Sequence, residues 1–491
     1  MNGSWMIFIP VIAPFLAGFV LSQLRFEERR KREIYCTISV GVNTLLSLLM
    51  ISLFRGEYVT LVRFTEKLSF SLRIDGFGAV FGTMVALLWF VTTIYAFEYM
   101  KHEGRENIFF SFFLMSYGVV MGIAFSANLM TLYIFYEMLT LFTFPLVIHA
   151  MGARDRHAGK LYLVYSMLGA ALAFMGLIFV HQYGYSLDFT PGGVLNLELI
   201  GEKKELLLLI FVMTFFGFGV KAAVFPFWKW LPGASVAPTP VTALLHAVAV
   251  VKSGVFAVGR SIYFIFGSSF LAGTWAQDVT MLFAAITIVM GSAMALATPH
   301  FKRRLAYSTI SNLSYILFAF TLMSPAGFVA GTLHMLAHAV IKITLFFCAG
   351  AVLYKTSREF IWQLDGMGRK MPIVFGCFTI CSLGLMGVPP LAGFSSKWAI
   401  GVAAAACDSP MAIVGTAALI ISALLTACYL FAVILRAYFP LNGFDYNSLA
   451  KVKDPNWLMT VPLVVLTGAS LVLAAGMSPL SQWLATVAAG L

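Results

Sequence analysis

The sequence predicts an all-α polytopic membrane protein of about 14 transmembrane helices with an internal repeat. Three observations carry that prediction: composition, the alternation of basic loops, and two apolar spans interrupted by proline next to a lysine. The chain has 491 residues, 60% hydrophobic and 11% charged, with mean hydropathy +0.90. Runs of about 20 apolar residues, enough to cross a bilayer as a helix, recur from end to end. A soluble core of this size would not need so apolar a surface.

The spans centre near residues 14, 44, 88, 117, 139, 171, 215, 252, 288, 314, 342, 390, 423 and 466. Of the 32 Lys and Arg, 21 fall in seven alternate loops: 25–32, 101–105, 154–160, 229, 302–304, 355–370 and 436–453. Seven fall in the opposite loops and four inside spans. Basic loops stay cytoplasmic, so 25–34 (RFEERRKREI) is expected inside a cell (inner) membrane and both termini outside. The net charge of +11 is thereby an orientation signal facing anionic headgroups, and it does not argue for nucleic-acid binding. The N-terminal MNGSWMIFIP has no basic leader or small-residue cleavage site and reads as the first span.

Six cysteines (36, 348, 377, 381, 407 and 428) are scattered, without CxxC or ferredoxin-like spacing. Iron–sulfur and zinc ligation are not expected. Cys377 and Cys381, four apart, read as small packing residues. No GxGxxG, P-loop or long extramembrane stretch occurs, so no cofactor is expected and the chain binds neither NAD nor ATP.

In the seventh span Lys221 is followed by Pro226, then WLPG and APTP; in the twelfth, Pro389, Pro390 and Gly393 precede Lys397. Proline lacks a backbone donor and clashes with the carbonyl four residues back. Pro226 is therefore expected to free the Ala222 carbonyl, and Pro389 and Pro390 those of Leu385 and Met386. Inside a bilayer, freed backbone survives only against protein or water. Paired interrupted segments point to a repeat with binding sites at the breaks. The offset from Lys221 to Lys397, 176 residues, sets the fourth-to-eighth spans against the ninth-to-thirteenth. The corresponding units are residues 1–105, 106–270, 271–440 and 441–491.

Four lysines lie within spans: Lys221, Lys252, Lys342 and Lys397. A lysine at the bilayer centre costs about 2.5–3.5 kcal/mol even on the lenient insertion scale. Such groups face protein or water and mark ion pathways. Glu137, the most isolated acid, is expected to pair with Lys221 if the two touch; a pair whose members separate is a proton switch, and a permanent pair would be structural. His334, His338 and Lys342 follow at i, i+4 and i+8, rungs about 6 Å apart on one helix face. That spacing suits a water-assisted proton relay, with satisfied core histidines as the other reading. Lys252 reads as the link between halves, and His246, six residues earlier, as an accessory. Ser308, Thr309, Ser311 and Asn312 can hold water or simply pack helices.

WLPGASVAPTPVTALLHAVAVVKSGV, RRLAYSTISNLSY and HMLAHAVIKITLFF resemble signature stretches of the antiporter-like membrane subunits. That family comprises the proton-pumping subunits of respiratory complex I, the large subunits of Mrp Na⁺/H⁺ antiporters and their membrane-bound hydrogenase relatives. The resemblance spans roughly residues 70–440. It implies 14 helices, two inverted five-helix repeats and broken helices 7 and 12. It implies that Glu137, Lys221, Lys252, His334, His338, Lys342 and Lys397 form a hydrated mid-membrane axis carrying protons. It also implies partners: other membrane subunits of one complex. Trp228 departs from the pattern by standing where many relatives carry histidine, and Gly233 and His300 stand where they carry acids. The chain lacks the lateral helix of the largest complex I member and resembles the shorter members of the family, including the D-type Mrp subunits.

The reading is a proton-translocating subunit of a multisubunit membrane complex, with Na⁺/H⁺ antiport as one form of that activity, and without a redox site of its own. The alternative is the pump subunit of a redox-driven complex, NADH:quinone oxidoreductase-like or hydrogenase-like. A stand-alone solute carrier is disfavoured by the lack of a long central loop, and a purely structural subunit by its buried charges.

Overall fold

A computed structural model describes residues 3–24, 26–440 and 444–491. Arg25, the first of the basic loop 25–32, and residues 441–443, within the basic loop 436–453, lie outside the described residues. Eleven of the described helices are long and apolar enough to cross a membrane. They include α1 (Ile9–Leu24, extended by a 3₁₀ turn from Ser4), α2 (Arg29–Leu53), α3 (Gly76–Tyr99), α4 (Glu106–Ala124), α5 (Leu129–Val147) and α6 (Ala153–Tyr183). Next come α7 (Lys204–Gly219), α8 (Thr239–Ala247), α9 (Val250–Arg260), α10 (Trp275–Ala297), α11 (Phe301–Thr321) and α12 (Pro325–Thr356). The series closes with α13 (Pro372–Met386), α14 (Ala392–Ala405), α15 (Pro410–Tyr438), α16 (Trp457–Ala475) and the short α17 (Met477–Ala488).

Three segments complete the expected fourteen: α7 with its interrupted continuation, α11 with its basic first turn, and the split pair α13 and α14. The seventh and twelfth spans are broken, as the prolines require. The eighth is broken too: α8 stops at Ala247 and α9 restarts at Val250, with Val248 and Ala249 outside helical geometry. No proline or glycine marks the break in HAVAVV, so it carried no local signal.

Between α2 and α3 the chain forms an antiparallel hairpin, β1 (Tyr58–Arg63) with β2 (Ser69–Arg73), with a bulge between Thr60 and Val62. Period-two alternation in YVTLVR and SFSLR is the strand signal. The hairpin joins α5 through Ser71 N–H, which donates to Thr131 Oγ1 at 2.9 Å.

Side-chain caps fix where several spans begin. Asp75 accepts from Gly78 N–H at 2.8 Å, Asn128 from Thr131 N–H at 2.8 Å, and Ser324 from Gly327 N–H at 3.1 Å. Each answers an amide that a helix start leaves unpaired. The 32-residue α12 packs against α8, α11, α13, α14 and α16. The eighth span is wholly enclosed, whereas α2 and α15 turn exposed apolar stripes outward (Ile38, Leu45 and Leu53; Ile413, Ile420 and Leu424). The chain is inside out only at its rim, as a lipid-solvated bundle should be.

Asp75 has a second task. Its carboxylate takes two hydrogen bonds, at 2.5 and 2.7 Å, from Arg260, whose guanidinium is fully buried among Phe77, Phe189, Phe256 and Phe264. Removing one member of such a pair leaves an uncompensated buried charge. Asp75→Ala is expected to destabilise the protein by about 3–5 kcal/mol, seen as a lower melting temperature of the purified protein in detergent.

Candidate functional site

At the seventh-span break, α7 ends at Gly219 and Ala223 adopts φ +58, a left-handed conformation costing an L-residue about 1–2 kcal/mol. The break is held by side chains. Trp230 Nε1–H donates to Val220 O at 2.8 Å, and Phe225 N–H to Thr287 Oγ1 on α10 at 3.0 Å. Gly254 on α9 permits the close approach, since a Cβ there would lie 2.8 Å from Ala222 N and 2.9 Å from Phe218 O.

Lys221 sits in this break, 1% exposed. Its ammonium donates to the Tyr136 carbonyl oxygen and lies 3.3 Å from the centroid of the Tyr136 ring. Glu137 is the next residue on α5. Its Oε1 is buried without a hydrogen-bond partner, and among the described residues it has no ion pair within 4.0 Å. Lys221 and Glu137 are thus neighbours, with the lysine seated elsewhere. A permanent structural pair is not the arrangement found.

Lys252 on α9 is fully buried and shares a hydrogen bond with His338 Nδ1 on α12. The eighth-span break lets α9 address α12 independently of α8, which carries His246. Both His246 nitrogens are buried without a partner, with the ring 5.1 Å from that of Phe346. The His338 and His334 rings follow at 6.1 Å, and His334 Nδ1 meets Ser396 Oγ at 2.9 Å. The Nε2 atoms of both histidines are buried without a partner. Ser396 precedes Lys397 on α14. Lys342, at the other end of the α12 ladder, is fully buried and donates to Leu305 O at 2.9 Å.

At the twelfth-span break, Lys397 Nζ donates to Leu385 O at 2.6 Å and Met386 O at 3.2 Å. These are the two carbonyls that Pro389 and Pro390 are expected to free. The Tyr315 ring lies 5.3 Å away. Gly393 is obligatory here, since a Cβ would stand 1.8 Å from Gly384 O. The two breaks are not copies. Lys221 precedes its proline and Lys397 follows its pair, so the lysines lie on opposite sides of the interruptions.

Each of these four buried lysine amines therefore meets a carbonyl dipole, an aromatic face or an imidazole nitrogen, and among the described residues none forms an ion pair with a carboxylate. Burying an unpaired charge is prohibitive, whereas these polar acceptors keep a proton on or near the amine without locking it. The string Lys252, His338, His334, Ser396, Lys397 is one of groups that both donate and accept protons.

Sequence reasoning missed Tyr136, Ser396 and Tyr315. Tyr136 adjoins Glu137 and Ser396 adjoins Lys397, which was the available signal. Of the small polar residues on α11, Ser308 bonds Tyr429 at 2.6 Å, and Ser311 bonds Ser292 and Ser422, each at 2.9 Å. They join α10, α11 and α15. Trp228, the departure in the seventh span, rests 5.7 Å from the Tyr307 ring, and His300 caps α11 and faces Glu359 at 3.4 Å.

The fold and site define a class: a polytopic helical membrane protein with two proline-broken spans and a buried string of lysines and histidines between them. The family described as NADH:quinone oxidoreductase/Mrp antiporter matches residues 126–426, and the N-terminal family of complex I chain 5 matches residues 64–110. The chain belongs to this family of membrane subunits. The N subunit of the NADH-quinone oxidoreductase of Desulforudis audaxviator is 32% identical over 374 residues, covering 75% of this chain and 72% of the relative. The A/B subunit of a probable K⁺/H⁺ antiporter of Rhizobium meliloti is 34% identical over 338 residues, 67% of this chain but 32% of that larger protein.

Among solved structures, a chain of the Mrp complex of a Dietzia species superposes with TM-score 0.85 at 19% identity, covering 100% of this chain and 97% of that one. A chain of an archaeal membrane-bound sulfane sulfur reductase superposes with TM-score 0.84 at 22% identity, covering 99% and 96%. Both likenesses establish the fold.

Proposed function

We propose that this chain is the ion-translocating subunit of a multisubunit membrane complex, moving protons along its mid-membrane axis in exchange for sodium. The observation that carries the reading is the contact sequence from Lys252 through His338 and His334 to Ser396, ending beside Lys397. Lys221 and Glu137 act as the switch at the other end, exchanging a proton when the lysine leaves its seat on Tyr136. Lys342 holds charge at the branch below His338. The repeat units at 106–270 and 271–440 each supply one proline-broken span bearing a lysine, flanked by 1–105 and 441–491. The alternation of basic loops supports an orientation with both termini outside the cell membrane.

A second reading, the pump arm of a redox-driven complex, is favoured by the likeness to an archaeal respiratory complex. The test is purification of the tagged protein from its native membrane in mild detergent, with its companions identified by mass spectrometry. Small hydrophobic subunits and one larger homologue are expected. Flavin, iron–sulfur or nickel subunits would instead assign the chain to a redox complex.

A further inference from the structure

The seventh and twelfth spans, the two broken at proline, deliver their lysines to the same kind of receptor, a buried tyrosine ring together with main-chain carbonyl oxygen. At the first, Lys221 lies over the Tyr136 ring at 3.3 Å and donates to the Tyr136 carbonyl. Tyr136 is fully buried, and its hydroxyl donates to Phe218 O, in the last turn of α7, at 3.1 Å. One residue thus holds both the end of α7 and the lysine that follows it. At the second, Lys397 lies 5.3 Å from the Tyr315 ring and donates to Leu385 O and Met386 O. Tyr315 is also fully buried, with its hydroxyl donating to Ser422 Oγ at 2.7 Å.

The two tyrosines occupy related places. Tyr136 lies on the fifth span and Tyr315 on the tenth, which the repeat pairs. Their separation is 315 − 136 = 179 residues, against 397 − 221 = 176 for the lysines. The offsets agree to within one helical turn. Glu137 has no such counterpart, because Tyr315 is followed by Ile316. A ring face attracts a desolvated ammonium without supplying a counter-charge. A lysine so held remains free of the carboxylate beside it.

We propose that Tyr136 and Tyr315 are repeat-related latches, positioning residues that seat the ammonium groups of Lys221 and Lys397 by cation–π and carbonyl contact. Tyr136 parks Lys221 off Glu137, and the lysine returns to that carboxylate once in each transport cycle. Tyr315 performs the seating step for Lys397, where no acid competes. This rests on the reading of Lys221 and Glu137 as a proton switch.

The test uses the assembled complex in inverted membrane vesicles, with proton movement followed by a pH-sensitive dye. Position 136 is replaced by phenylalanine and then by phenylalanines bearing one, two and three ring fluorines. Fluorination drains the negative ring face while nearly preserving shape, so a packing role would not respond to it. Tyr136→Phe is expected to transport within about threefold of the parent, and each fluorine to slow transport further, to at least about tenfold overall. Tyr136→Leu is expected to fall with the most fluorinated variant. The series at 315 is expected to be shallower, because its ring is 5.3 Å from the lysine rather than 3.3 Å. A flat series at 136 overturns the latch. Lys221→Ala, run alongside, separates the two ideas. If Lys221→Ala transports normally the switch itself fails, whereas a dead Lys221→Ala with a flat series refutes the latch alone.

Discussion

Lys221→Ala and Glu137→Ala are each expected to abolish ion translocation, with a fall of at least about 100-fold, while the complex assembles at normal yield. The expectation follows from the seating of both groups. Lys221 is a buried amine resting on carbonyl oxygen and an aromatic face, and Glu137 beside it keeps a buried oxygen unbonded. The contacts of Lys221 lie within this chain, so normal assembly is expected of both variants. Proton movement in membrane vesicles, with native gel electrophoresis of the same membranes, checks both halves of the statement. Normal transport by either variant would sink the switch. A conservative variant sharpens the test: Glu137→Gln keeps the shape and a hydrogen-bonding head but cannot exchange a proton, and it should be as inactive as Glu137→Ala.

The second large effect is expected at the link between halves. Lys252 on α9 and His338 on α12 share a fully buried hydrogen bond, and nothing else on the string joins the eighth span to α12 by proton-exchanging groups. Lys252→Ala should cost at least about 100-fold in transport. Histidine serves as a relay because one nitrogen accepts a proton while the other donates. His338→Gln retains an acceptor for Lys252 but cannot relay, so it should fold, assemble and fail to transport. An active His338→Gln protein would reduce the histidine to a packing and hydrogen-bonding role.

Much of this is legible in the linear sequence, for reasons that can be named. Charged residues cannot sit in hydrocarbon, so the alternation of basic loops announces the span count and isolates four lysines as exceptions. Proline cannot donate, so Pro226, Pro389 and Pro390 announce where helices break; the carbonyls freed in this way, Leu385 and Met386, are the ones to which Lys397 is bonded. Helical spacing alone puts His334 and His338 on one face.

Other features had no local signal. The eighth-span break at Val248 and Ala249 lies in a run of Ala and Val with good helix or strand character, and only enclosure by surrounding helices maintains it. The strand pair at 58–73 does carry an alternating pattern, but it is short and lies in a loop that span counting ignores. Helical spacing makes Lys342 the last rung of an α12 ladder. Its amine nonetheless binds Leu305 O on α11, because a side chain's direction depends on which neighbouring helix offers an acceptor.

By itself, then, the sequence determined the solvent of this protein, the number of its spans, the places where helices 7 and 12 stop, and the ionisable groups that would need partners. Those are properties of single residues against water or lipid, and they need no knowledge of neighbours. Tertiary structure alone decided the partners: Lys221 against Tyr136 instead of Glu137, Lys252 against His338, and His334 against Ser396. The physical reason is that a buried cation accepts any sufficiently strong dipole or ring within reach. Which one is within reach is settled by helix packing between residues 62 to 86 positions apart in the chain.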